Sequence, residues 1–152
     1  MSLTIAPSDE ACQAIVARIN SGSGITYTLA SAAEYFYQKD DNIQRLSSLT
    51  VDVIHLGERD LGDTLDVETR TSHDMQIWIR QKLPGAIATA SVAAVKLVAR
   101  QIFQRVNNYA TSRVRVWECG EEQEDGADRS VLRQDGVVSL MIPLRVVVEA
   151  SS

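Results

Sequence analysis

Two stretches of this chain alternate apolar and polar side chains for longer than most strands run. From Arg70 to Lys82, Met75, Ile77 and Ile79 fall on one side, and Gln76, Trp78 and Arg80 on the other. From Gly136 to Glu149, Leu140, Ile142, Leu144, Val146 and Val148 line one side. A period of two sends successive side chains to opposite faces of a pleated strand. Both stretches therefore predict long strands with one face turned to a core. Leu49 to Leu56 predicts a third, with Leu49, Val51 and Val53 alternating with Thr50, Asp52 and Ile54. The helical period lies between the long runs. Ala86 to Tyr109 places Ile87, Ala94, Val95, Val98, Ile102 and Val106 on one stripe.

A first helix is predicted from Pro7-Ser8-Asp9-Glu10, with Ser8 as N-cap and two acids where the helix dipole favours them. Ala11, Ala14, Ile15 and Ile19 continue it, and Asn20-Ser21-Gly22-Ser23-Gly24 stops it. Ile25 to Gln38 reads as extended, although Ala30 to Glu34 also suits a helix. Val114, Val116 and Trp117 predict a short strand. Gly57–Thr69 and Gly120–Asp135 read as acid-rich loops. Pro143 lacks a ladder donor, which predicts that the last strand lies at a sheet edge or is bulged there. The order is helix, about three strands, helix, two strands. It predicts an α+β fold: a mainly antiparallel sheet of about four to five strands with two helices packed on one face. The 152 residues suit a single domain over 1–152, frayed at 1–6 and 150–152.

Charge and cysteine content narrow the function classes. Fifteen basic against 20 acidic side chains give −5, which opposes non-specific nucleic-acid binding. At 5% aromatic residues, a stacking platform for single strands is also disfavoured. Twelve of the basic residues are Arg and three are Lys, a bias toward forked, geometry-specific contacts. Cys12 and Cys119 are expected to be reduced. No signal-like apolar segment follows Met1, because Ser8, Asp9 and Glu10 arrive too soon. No apolar stretch is long enough to span a bilayer. A cytosolic product without membrane partners is expected.

Motifs for catalysis are weak. His55 and His73 fall on consecutive strands as candidate cross-strand neighbours, lack the further ligands a metal needs, and read as strand-surface residues. Asp60, Asp63 and Asp66 do not match calcium-loop spacing. Gly22-Ser23-Gly24 follows a helix and lacks the Lys and Ser/Thr of a phosphate loop. No nucleophile elbow is present, and a Cys119–His pair is only formally possible. The expectation is no catalytic residue, no cofactor and no metal. Trp78 stands out, as a large aromatic on the outward face of its strand that suits either an interface or a helix covering that face too.

Taken together, these elements resemble small prophage-encoded virion proteins of the tail-completion, or tail-terminator, type, which act at the head–tail joint. The likeness is carried in order along nearly the whole chain. Ile15-Val16-Ala17-Arg18-Ile19-Asn20 precedes an extended segment ending in Tyr35-Phe36-Tyr37. Leu46-Ser47-Ser48-Leu49-Thr50-Val51-Asp52-Val53-Ile54 turns into a strand, and the strand Arg70 to Leu83 follows. A long helix, Val114–Glu118 and a closing Ile142-Pro143-Leu144-Arg145-Val146-Val147-Val148-Glu149 complete it.

The resemblance implies a structural protein with no catalytic residues. It implies a homo-oligomeric ring, a hexamer in the virion, that caps the tail tube and meets the head connector while DNA passes through without specific binding. Assembly would take place in the host cytoplasm before incorporation into the tail. A ring of this kind joins two different surfaces of each subunit. The expected contact residues are Glu58, Asp60, Asp63, Asp66, Glu121 and Glu122 in the acidic loops, with Trp78. Arg70, Arg80, Arg113, Arg115 and Arg145 are expected counter-charges. Two other classes compete: a bacterial adaptor binding a peptide along an edge strand through Trp78, and an enzyme with an unrecognised site.

Overall fold

The computed structural model describes residues 5–21, 33–37, 49–62, 69–82, 89–124 and 137–150. Two helices, α1 (Pro7–Asn20) and α2 (Thr89–Val106), accompany six strands. These are β1 (Glu34–Phe36), β2 (Thr50–Asp60), β3 (Thr69–Lys82), β4 (Val114–Cys119), β5 (Gln123–Glu124) and β6 (Val137–Ala150). They form one sheet in the order β1-β2-β3-β6-β4, with β5 also on β6. Among the described residues, only the β1–β2 pair is parallel. This is the predicted α+β class.

The alternation in β3 and β6 sets their register: Ile77 faces Ile142, Met75 faces Leu144 and Ile79 faces Leu140. Those residues join Val51 and Val53 of β2 and Val114 and Val116 of β4 in one apolar cluster. Ala11, Cys12, Ile15 and Ile19 of α1 and Val95, Val98, Ala99, Ile102, Phe103 and Val106 of α2 complete it. Both helices therefore cover the same sheet face. Ala94, predicted on the α2 stripe, is exposed. It lies one residue before Val95, and at 100° per residue the buried arc stops there.

The helix ends are tied to each other. Arg18 Nε donates to the Arg105 carbonyl at 2.9 Å, and Arg105 Nε returns the bond to the Arg18 carbonyl at 2.7 Å. Each guanidinium thus satisfies an orphan carbonyl of the other helix's last turn. Asn108, at φ 65°, terminates α2 in the left-handed region that Asn tolerates. At the start of α1 the N-cap is Ala6, with Pro7 opening the first turn, and Ser8 is inside the helix. The predicted Ser8 cap is thereby corrected: proline's fixed φ suits the first helical position, which moves the boundary two residues back.

Three further expectations are revised. The segment after Leu56 is not wholly loop, because β2 continues to Asp60 as half of a hairpin with β3. The sheet is not half-buried either: Thr50, Asp52, Ile54, Ser72, Trp78, Arg80 and Val147 are all buried, although their positions alternate with those of the apolar cluster. Finally, β6 is central rather than at an edge. Pro143 is accommodated because β4 ends opposite Leu144 and β5 begins opposite Met141. Its carbonyl accepts the Gly120 N–H at 2.8 Å in the gap between them. In an antiparallel strand the N–H and C=O of one residue point the same way. The missing donor therefore faces the gap, and no ladder bond is lost. A Cβ on Gly120 would lie 2.7 Å from Pro143 Cγ, so the close passage requires glycine.

Candidate interface surface

The predicted arginines are mostly engaged inside the chain. Arg80 is 3% exposed and bonds Asp52, itself 1% exposed, at 2.9 Å. Diagonal neighbours on β2 and β3, they form a buried pair, so Arg80 is not a counter-charge for another subunit. Arg113 Nε lies 2.8 Å from Glu10 and Arg70 Nε 3.4 Å from Glu149. Arg145 bridges Asp74 at 3.2 Å and Glu118 at 3.7 Å. Alternation along long strands cannot reveal these partners, which are set by register across three of them. Arg115 is exposed and carries no ion pair among the described residues.

Trp78 is 6% exposed, so it does not stand out to solvent as the interface reading expected, although both described helices pack on the other face of the sheet. Its Nε1–H donates to Gln76 Oε1 at 3.0 Å. Glu58 and Asp60 are exposed on the far half of β2, where Asp60 Oδ1 accepts the Gly62 N–H. Asp63 and Asp66 lie outside the described residues. Glu121 and Glu122 approach Arg100 of α2 at 3.9 and 3.4 Å. The expected contact residues are therefore not one patch: Glu58 and Asp60 sit with β2, and Glu121 and Glu122 beyond β4.

The histidines depart furthest from expectation. Both are buried, and they face the helix side of the sheet. His55 Nε2 and His73 Nδ1 are 2.9 Å apart, and His73 Nε2 is 2.8 Å from the Thr71 hydroxyl. The Tyr37 ring leans on His55 with centroids 5.4 Å apart, and its hydroxyl donates to Asp9 of α1. His73 is fully buried. Its pKa is pushed down to about 4 by burial first, then by the neighbouring His55. His55 is lowered too, mainly by burial, with Glu58, Asp9 and Asp74 opposing. Among the described residues, no three His, Cys, Asp or Glu side chains group as a metal site. The two cysteines are free. Burial pushes the Cys12 thiol up to about 12 and the Cys119 thiol up to about 11. An activated nucleophile is shifted the other way.

What the sequence reading missed is apolar. Among the described residues, the large hydrophobics left exposed are Tyr37, Leu56, Leu61, Leu97 and Trp117. Leu56 and Trp117 are each the extra residue of a β-bulge, where the register shifts between His55 and Gly57 and between Val116 and Glu118. A bulge residue has no partner across the ladder, so its side chain is turned out. The available signal was a broken alternation: Val116-Trp117 are adjacent apolar residues in a strand that otherwise alternates. No helix among the described residues is long and apolar enough to cross a membrane.

No protein-family model matches the chain, and no curated protein sequence matches it. The fold is similar to that of a chain in a solved structure described as the virion of a native gene transfer agent particle. The TM-score is 0.54 at 16% identity, and the match covers 97% of this chain and 100% of the other.

Proposed function

We propose that this protein is a structural virion-assembly protein of a phage or prophage: a tail terminator, or tail-completion protein, that forms a ring at the head–tail joint. The observation that carries the reading is the end-to-end fold likeness to a chain of a virion particle, with neither chain leaving a large part unmatched. It agrees with the order of elements from which the family resemblance was drawn. Its partners on this reading are copies of itself in a ring, six in the resembled family, with the tail tube on one side and the head connector on the other. DNA passes through the ring without specific binding, in keeping with a net charge of −5 that repels phosphate. The ring is built in the host cytoplasm and retained in the virion.

The competing adaptor reading rested on Trp78 and an edge position for the last strand. Trp78 is buried and β6 is central, so its two supports fall away. The test is genetic. Deleting the gene from the cells that carry it should leave DNA-filled heads and separate tails, with no joined particles. Joined, infectious particles at normal yield would overturn the proposal.

A further inference from the structure

Four segments meet at the histidine pair. His55 belongs to β2, and His73 and Thr71 to β3. Tyr37, just past β1, lays its ring against His55. The Tyr37 hydroxyl donates to Asp9 in the first turn of α1, with the Ser8 hydroxyl 3.1 Å away. The tyrosine is 52% exposed and the His55 beneath it 8%. Tyr37 is thus a cover carried by β1 and fastened to α1.

The bridge from His55 Nε2 to His73 Nδ1, at 2.9 Å, has room for one proton. In the neutral pair one nitrogen donates and the other accepts. One added proton preserves that arrangement. A second makes both nitrogens donors, and two like charges then face each other out of water. Apart from each other, the charges that act on the pair are acidic: Asp9 on α1, Glu58 on β2 and Asp74 on β3. Glu58 Oε1 already lies 3.9 Å from His73 Nε2. Glu10, beside Asp9, is paired with Arg113. Cys12 of α1 stays a neutral thiol, raised to about 12 by burial and by Asp9. On β6 the residue opposite His73 is Val146.

We propose that this cluster is an acid-operated latch: with two protons the histidines part, His73 turns to Glu58 and His55 to Asp9, and Tyr37, displaced from Asp9, frees the first turn of α1. Competition for one carboxylate couples the histidines to the helix. The Tyr37 hydroxyl and a protonated His55 both need Asp9 as acceptor, and an ionised donor holds a carboxylate more strongly than a phenol does. Burial keeps His73 neutral down to about pH 4, whereas an exposed imidazole titrates near 6.5. The latch is therefore fully closed above pH 6.5 and opens as the pH falls toward 4. Ring formation is not needed for it.

Cys12 reports on the latch, because it is fully buried one turn after Ser8 and Asp9. In the full chain with Cys119→Ser, its labelling by dithiodipyridine is followed against pH. Each rate is divided by that of the urea-unfolded chain at the same pH, which removes the thiol's own chemistry. Protection should fall about 20-fold or more between pH 7 and pH 5, with almost no dependence on urea below the unfolding transition. Tyr37→Phe keeps the ring and removes the fastening, so it should lower protection at pH 7 about fivefold. Glu58→Gln should leave protection at pH 7 unchanged and flatten its fall in acid. Both residues are exposed, so both variants should fold. Labelling as steep in urea as global unfolding would overturn the latch in favour of whole-chain acid unfolding. Protection independent of pH, wild-type protection in Tyr37→Phe, or a wild-type pH profile in Glu58→Gln would overturn it as well.

Discussion

An Arg80→Leu variant should lose about 3–5 kcal/mol of folding stability, because it takes the Arg80 cation away from the buried Asp52 carboxylate. The pair is held at 2.9 Å with both side chains almost wholly out of water. Domains of this kind have about 5–15 kcal/mol in total, so the single variant should sit near the edge of unfolding. The informative comparison is the Asp52→Leu/Arg80→Leu double variant. Removing both charges also removes the desolvation penalty, and packed aliphatic groups replace the pair at little net cost. The double variant should therefore be more stable than Arg80→Leu alone, a strongly non-additive cycle. Urea denaturation of the four proteins measures it. Additive losses would mean that the pair is solvated and that this sheet face is open.

Acidification from pH 7 to pH 5 should lower stability by about 2 kcal/mol through His73, and a His73→Gln variant should lose most of that slope. The folded imidazole titrates near pH 4, pushed down by burial and by His55. In the unfolded chain it titrates near 6.5. Above pH 6.5 the ring is neutral in both states and contributes no slope. Below 6.5 the unfolded chain takes up a proton that the folded chain refuses until about pH 4. The stability that neutral His73 confers is thus complete above 6.5 and is lost as the pH falls toward 4. His55, shifted in the same direction, adds to the effect. Equal acid slopes in wild type and His73→Gln would show that the pair is hydrated and easily protonated.

The parts of the fold legible in the sequence were those set by side-chain period. Met75, Ile77 and Ile79 and the five apolar residues from Leu140 to Val148 specified both strands and the face each turns to the helices. They did so because a one-residue slip would turn the whole set away from the helices. The parts set by pairing were not legible. Pro143 was read as marking a sheet edge or a bulge because nothing local shows that the neighbouring strand is interrupted opposite it. Trp78 and Arg80 occupy polar-phase positions, and period alone does not tell whether that phase meets water or a covering layer. His55 and His73 lie 18 positions apart; their mutual hydrogen bond is set by the β2–β3 register, which places Met75 opposite His55 and His73 diagonal to it. The apolar edges at Leu56 and Trp117 arise from bulges, and bulges interrupt the alternation that sequence reading relies on.

The central claim is a place at the head–tail joint, and labelling electron microscopy of particles tests it most directly. Particles would be purified from cells expressing the chain with an epitope tag, then decorated with gold-labelled antibody. The label should fall at the junction between head and tail, with tailless heads unlabelled or marked only at the portal vertex. Label along the tail shaft, at the distal tip or over the capsid surface, or particles that contain none of the chain, would contradict the account.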